Sequence, residues 1–402
     1  MIKTNFKQNT LIFLAQALFI TTFTIQFAYA GNQQIVVDSV ADQPIPGLTT
    51  FREAIEEANI TNQPEIIFDQ TVFGTPQVIT LENGEISITG SVLISGPGAD
   101  LLTIDANNLS RVFNIDDNNN TQADVEIIGI TFTNGSSSEA GGCINSRESL
   151  RLLASVVTAC FSEKNGGGIH NFNAANVVIE NSSLVNNTSE NDGGGLFLQG
   201  ANDHRIMNST FSDNIASRNG GGMAINQTNS IDVDNSTFSE NQAIGGAGIF
   251  ANSNINITHS TIINNSGPGV QLDQDTLQNS IIAGNTGLDC IFEETGVNNQ
   301  YNLDTDGSCG VDAVNHTTVA DPLLGPLANN GGLTMTHSPL FGSLAIDAAS
   351  DEDCAINDQR GFSRPQDGDG DGDALCDIGA VEVDEFVDLI FKDGFDDSTP
   401  VF

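Results

Sequence analysis

Tryptophan is absent from this chain of 402 residues, tyrosine occurs 2 times, and 12 lysines and arginines stand against 52 aspartates and glutamates. The lack of indole and phenol rings leaves no rich aromatic platform of the kind that stacks on sugars. The shortage of cations, with a formal net charge of −40, excludes a nucleic acid as partner, because a phosphate backbone needs a basic footprint. It also disfavours adhesion to anionic lipid. An acidic surface suits calcium, cationic partners or plain solubility, and the last is the simplest of these. Beyond the first thirty residues no run is apolar enough to cross a bilayer as a helix. No C-x-x-C spacing occurs and the 5 histidines are scattered, so a zinc site has no frame to build on.

What is present begins with a targeting segment. Lys3 and Lys7 form a basic start, an apolar run follows from Leu11, and Ala28-Tyr29-Ala30 reads as a cleavage site. The alternative, an anchor that stays attached, is disfavoured because the run is short and broken by Gln16 and Gln26. Residues 1–30 are therefore read as a signal peptide, with the mature chain starting near Gly31. Export suits the 6 cysteines, which fall into near pairs: Cys143 with Cys160, Cys290 with Cys309 and Cys354 with Cys376. Local disulfides are the simplest connectivity in an oxidising compartment, with zinc as the rival.

The strongest pattern is a register of glycines. Gly166-Gly167-Gly168, Gly193-Gly194-Gly195 and Gly220-Gly221-Gly222 step by 193 − 166 = 27 and 220 − 193 = 27. Asn181-Ser182-Ser183-Leu184, Asn208-Ser209-Thr210-Phe211 and Asn235-Ser236-Thr237-Phe238 repeat with the same step. Two phased motifs at one period mark a solenoid. Within a repeat, Leu196-Phe197-Leu198, Arg205-Ile206-Met207 and Thr210-Phe211 read as three short strands, so three parallel sheets are expected. Leu184, Phe211, Phe238 and Ile262 should stack inside it, and Asn187, Asn214, Asn241 and Asn265 should form an amide ladder at a turn, where Asn tolerates the left-handed conformation. Later steps shorten, since 246 − 220 = 26 and 267 − 246 = 21, so the rungs differ in loop length, and the longer central loops are where binding is expected.

The flanks differ. Thr50 and Glu53 form a capping box for a helix whose Phe51, Ala54, Ile55 and Ala58 share one face, suited to closing the open end of a solenoid. The reading divides the chain into the signal peptide, an N-terminal cap with first turns at 31–95, the repeats at 96–320, a non-repeating module at 321–383 and a tail at 384–402.

These residues carry a resemblance. The G-G-G/A-I-x-N blocks with N-S-T-F-x-x-N, over about 141–285, resemble the repeats of polymorphic outer membrane proteins, which implies a right-handed parallel β-helix. Thr49-Thr50-Phe51-Arg52-Glu53-Ala54-Ile55 resembles the CSLREAI motif of bacterial secreted β-helix proteins, with Thr49 where that motif has Cys. Asp321-Pro322-Leu323-Leu324, Leu327-Ala328-Asn329-Asn330-Gly331-Gly332, Asp358-Gln359-Arg360-Gly361, Arg364-Pro365 and Cys376-Asp377-Ile378-Gly379-Ala380-Val381-Glu382 resemble the choice-of-anchor Q domain. Ile390-Phe391-Lys392-Asp393-Gly394-Phe395 is similar to a C-terminal motif of exported proteins. Together they imply a protein secreted by, or held on the outer surface of, a Gram-negative bacterium. No membrane barrel of about 8 or more strands fits after Glu382, which argues against a self-translocating autotransporter.

Candidate chemistry is sparse. Asp367, Asp369, Asp371 and Asp373 alternate with glycine and form the densest set of oxygen ligands, open to two readings: a structural calcium loop, lacking the Glu that would complete an EF-hand, or a solvated acidic loop. Asp203-His204-Arg205 and Asp232 with Asp234 are the only suggestive groups on the strict repeats. Asp232 and Asp234 should share a face, where they could bind a cation or pair with Arg205 on the adjacent turn, a solvated outer face being the plainer alternative. His170, His259, His316 and His337 have no recognisable triad partner. No catalytic residue is assigned. The expected function is a non-enzymatic adhesin or interaction protein that meets a host or neighbouring-cell surface, a glycan or a matrix component. The alternatives are a polysaccharide lyase or glycosidase on a pectate-lyase-like β-helix, and a structural spacer.

Overall fold

Short strands separated by tight corners cannot pair with their sequence neighbours, so each pairs with its equivalent one turn later. A computed structural model describes residues 33–119, 122–172, 176–200, 202–273, 275–293, 298–310 and 313–384. The expected signal peptide, and the tail after Asp384, lie outside these residues. The chain is an all-β parallel solenoid. The turn read from the sequence runs through Leu196–Gln199 in sheet C, Asp203–Met207 in sheet A and Thr210–Ser212 in sheet B. Among the described residues, sheets A and B each hold 11 strands and sheet C holds 9. A fourth, short sheet D pairs Ser136–Ser137, Phe161–Ser162, Thr188–Ser189 and Ile215–Ala216. Strands of two residues show no alternation, so the three-sheet reading of the sequence passed over them.

The glycine register has a steric origin. Gly193 adopts φ 71°, and a Cβ on Gly194 would run into the carbonyl oxygen of Gly221 on the next turn. Side chains at this corner would force successive turns apart. At the opposite corner the amide ladder forms as expected: Nδ2 of Asn187, Asn214 and Asn241 donates to Oδ1 of Asn214, Asn241 and Asn265, each at 3.0 Å. The left-handed conformation, however, falls on the residues just before them, Asn186, Asp213, Glu240 and Asn264. The ladder asparagines serve through their amides, which are fully buried and satisfy one another. A parallel ladder links the backbone N–H of Ser155, Ser182, Ser209 and Ser236 to the hydroxyl of the serine one turn on, at 3.1–3.2 Å. Inside, Leu184, Phe211, Phe238 and Ile262 stand in register, and the two rings stack 4.6 Å apart.

Helix α1 (Phe51–Ala58) has the expected capping box and buries Phe51, Ala54, Ile55 and Ala58 against the first turns. Arg52 pins it by an ion pair to Asp42 at 2.8 Å and a hydrogen bond to the Gly84 carbonyl at 2.7 Å. All three expected disulfides form, Cys143–Cys160, Cys290–Cys309 and Cys354–Cys376.

Residues 322–384 lie on the outer face of sheet B. Thr210 Oγ1 donates to the Met335 carbonyl at 2.6 Å, Thr237 Oγ1 to Gln359 Oε1 at 2.6 Å, and the Ala380 N–H to Thr261 Oγ1 at 3.1 Å. Ser239 Oγ meets His337 Nε2 at 2.9 Å. The outward Thr and Ser of the T-F-S strands are thereby buried. Within this module Arg364 is fully buried, pairs with Glu382 at 3.0 Å and donates to the carbonyls of Asp377 and Gly379. The sequence blocks around Asp358, Arg364 and Asp377 are thus spent on internal structure.

Candidate functional site

A solenoid offers its outer faces to ligands, and the faces here are unequal. Sheet B is covered by the C-terminal module from Thr210 to Ile281. Sheet A presents charge: Arg151 lies 4.0 Å from Glu126 and 3.4 Å from Glu180. Burial pushes the Glu126 carboxyl up, against the opposing pull of Arg151.

Sheet C is different. Its outward register runs Asn114, Asn145, His170, Phe197, Ala224, Phe250, Gln271. A second row beside it runs Phe172, Gln199, Asn226, Asn252. The His170 ring lies parallel to Phe197 and Phe172, with centroids 5.4 and 6.3 Å away. Its Nδ1 meets Asn145 Oδ1 at 2.9 Å, and Asn145 Nδ2 donates to Asn114 Oδ1 at 2.9 Å. Burial, aided by the charges of Arg111 and Arg147, lowers the His170 pKa to about 4, so the ring is neutral at physiological pH. Arg111 pairs with Glu85 at 2.8 Å and Arg147 with Asp116 at 3.4 Å. The strip therefore combines apolar rings, amides and a neutral imidazole; Phe197 and Ala224 are buried within it, Phe172 is 38% exposed, and at the far end Gln271 Nε2 donates to Glu293 at 2.7 Å. Sequence reading left His170 isolated; the clue was its position one residue after the glycine corner, which places it in register with Phe197.

At the corner between sheets C and A, Asp116, Asp117 and Glu148 bring carboxylate oxygens within 4.8 Å of one another. Glu148 is buried, accepts from the Ala123 N–H at 2.8 Å and the Asp117 N–H at 3.2 Å, and is raised by that burial. No sequence pattern marks this group, since Glu148 joins the two aspartates only across a turn.

The acidic loop gathers in part. Asp367 and Asp369 meet Asp347, while Asp371 and Asp373 are not in that group. Asp367 accepts from the N–H of Gly370 and Gly372, and Asp347 from that of Asp369. Burial, with the charges of Asp369 and Asp367, raises Asp347.

Asp203, His204 and Arg205 do not form one site. Asp203 and Arg205 face outward, whereas His204 points into the core at 1% exposure, because alternation on a strand sends neighbours to opposite faces. Its Nδ1 accepts from the Val177 N–H at 3.1 Å, and burial lowers it to about 4. Asp232 and Asp234 share the outer face as expected. Arg205 is the register partner of Asp232, yet the Asp232 carboxylate accepts from Asn256 Nδ2 at 2.9 Å rather than forming the expected pair. His259, His316 and His337 hold structural contacts, to Asp234, Asp304 and Ser239 respectively.

The model of the right-handed β-helix region matches residues 79–286 and 183–321. No curated protein matches the chain significantly. Among solved structures, the crystal structure of pectate lyase Pel9A superposes with a TM-score of 0.51 at 12% identity, covering 88% of this chain and 98% of that one. At that identity the likeness is one of fold.

Proposed function

We propose, for a chain that belongs to the right-handed β-helix family, that it is an exported, surface-associated interaction protein without catalytic activity, and that its ligand is a glycan lying along the outer strip of sheet C. The observation that carries this reading is the accessible row of Phe172, Gln199, Asn226 and Asn252, with Phe250 beside it, on the face that the C-terminal module leaves open. Ring edges and amides suit hydroxyl-rich, weakly polar chains. The leader-like start and the tail motif support placement at the outer surface of a Gram-negative bacterium, in contact with a host or neighbouring cell. Calcium bound by Asp347, Asp367 and Asp369 would stiffen the C-terminal module.

The second reading is a lyase acting on an acidic polysaccharide. Its support is the acidic corner of Asp116, Asp117 and Glu148 beside Arg147, at the end of the same strip. A glycan array run with a turnover assay separates the two. Saturable binding that falls about tenfold or more in Phe172→Ala with Phe250→Ala, without product release, is expected. Release of unsaturated uronates or reducing ends would overturn the non-enzymatic reading, and an absence of saturable binding would leave a structural spacer.

A further inference from the structure

The C-terminal module places large apolar side chains at its surface, with Phe341 80% and Leu344 59% exposed. These two, with Pro339, Ile346 and Val383, line a groove of about 430 Å³. Exposed apolar patches of this kind mark contact surfaces, because leaving such area in water is unfavourable. The groove also has an acidic side: Asp369 lines it, and Asp367 and Asp347 cluster with Asp369. An occupant should therefore be apolar with one positive charge.

The chain itself supplies such a segment. Val383 is part of the groove wall, so the residues that follow start at its rim. They read Phe386-Val387-Asp388-Leu389-Ile390-Phe391-Lys392-Asp393-Gly394-Phe395, in which Lys392 is the only lysine or arginine after Arg364. Phe391 lies eight positions beyond Val383, since 391 − 383 = 8. Eight extended residues reach on the order of 25 Å, ample to turn back over a groove that begins at Val383. We propose that residues 386–395 dock into this groove, with Phe391 against Phe341 and Leu344 and with Lys392 facing Asp369. The segment also holds Asp388, inside the apolar run, and Asp393, so the docked register is the one that sets the apolar side chains and Lys392 toward the groove and these two carboxylates toward water.

The test uses the full mature chain with a photoreactive benzoylphenylalanine in place of Phe391. Irradiation should give cross-links within one molecule, onto 339–348 or Val383, identified by mass spectrometry. Lys392→Glu should lower their yield by about two- to fivefold, the effect of losing one exposed ion pair. Phe341→Asp should abolish them while leaving the far-ultraviolet circular dichroism unchanged. Cross-links to another region, cross-links between two chains, or a yield indifferent to both substitutions would overturn the proposal. The outcome is independent of whether sheet C binds a glycan.

Discussion

Replacing Asn214 by alanine removes one rung of the buried amide ladder, and the loss can be worked out bond by bond. Asn214 Nδ2 donates to the Leu184 carbonyl at 2.8 Å and to Asn241 Oδ1 at 3.0 Å, while its Oδ1 accepts from the Asn187 N–H and from Asn187 Nδ2, each at 3.0 Å. Two of the four partners keep another bond: Asn187 Nδ2 still reaches the Val157 carbonyl, and Asn241 Oδ1 still receives the Asn214 N–H. The Asn187 N–H, by contrast, loses its acceptor inside a fully buried corner. An orphaned buried donor costs about 1–3 kcal/mol and each ordinary bond lost about 1 kcal/mol. One orphaned donor and three further bonds sum to a destabilisation of about 4–6 kcal/mol, a large part of the ~5–15 kcal/mol that holds a typical domain together. Urea unfolding of the mature chain, followed by circular dichroism, measures this. Asn256→Ala is the control, since Asn256 is exposed, donates to Asp232, and should change stability by about 0.5 kcal/mol or less. In native-state hydrogen exchange the Asn187 amide should lose protection before amides on distant turns, because a solenoid transmits strain mainly to its neighbours. A change within about 1 kcal/mol of wild type, or equal effects for the two substitutions, would refute the view that the ladder contributes to stability.

Two further expectations follow from the interior. His170 and His204 are each lowered to about 4, chiefly by burial, whereas an unfolded histidine titrates near ~6.5. The unfolded chain thus binds more protons between these values, so the stability held by the neutral rings is complete above about pH 6.5 and is lost as pH falls toward about 4. Each ring accounts for on the order of 3 kcal/mol of that loss. Unfolding midpoints across this range should fall less steeply in His204→Gln, whose amide oxygen can still accept from Val177; an unchanged slope would contradict the assignment. For the corners, Gly194→Ala would press a methyl against backbone oxygens of Gly221 and Ile215, while Gly361→Ala meets nothing within 4 Å and strains only a φ of 86°. Thermal melts should show a loss of about 3 kcal/mol or more for the first and about 1 kcal/mol for the second.

What the sequence made legible was whatever repeats or lies close along the chain. The stacked Phe211 and Phe238, the asparagine ladder, the Thr50–Glu53 box and the three near cysteine pairs each depend on one period or a short separation, and the structure contains them all. The illegible features join residues whose separation follows no period. Asp347 meets Asp367 only through the fold of the module, and Glu148 meets Asp116 only across a turn. The T-F-S strands alternate as if their Thr and Ser faced water, and nothing in the repeat announces that residues more than a hundred positions later would cover them. His204 was misread for a related reason: charged neighbours on both sides suggested a cluster, while strand alternation turned it inward.

The attachment of the C-terminal module at three successive levels, Thr210, Thr237 and Thr261, also fixes where this rod can grow. Repeat proteins lengthen by duplicating a unit, and a duplicated turn raises everything after it by one strand spacing, about 4.8 Å. Inserted between Thr210 and Thr261, such a unit would pull apart contacts whose counterparts, Met335, Gln359 and Ala380, belong to one rigid piece. Inserted before Ser183, it would lift the module and its three anchor points together. The module acts as a gauge on the later turns, and variation in length among descendants of this chain should collect in the earlier ones.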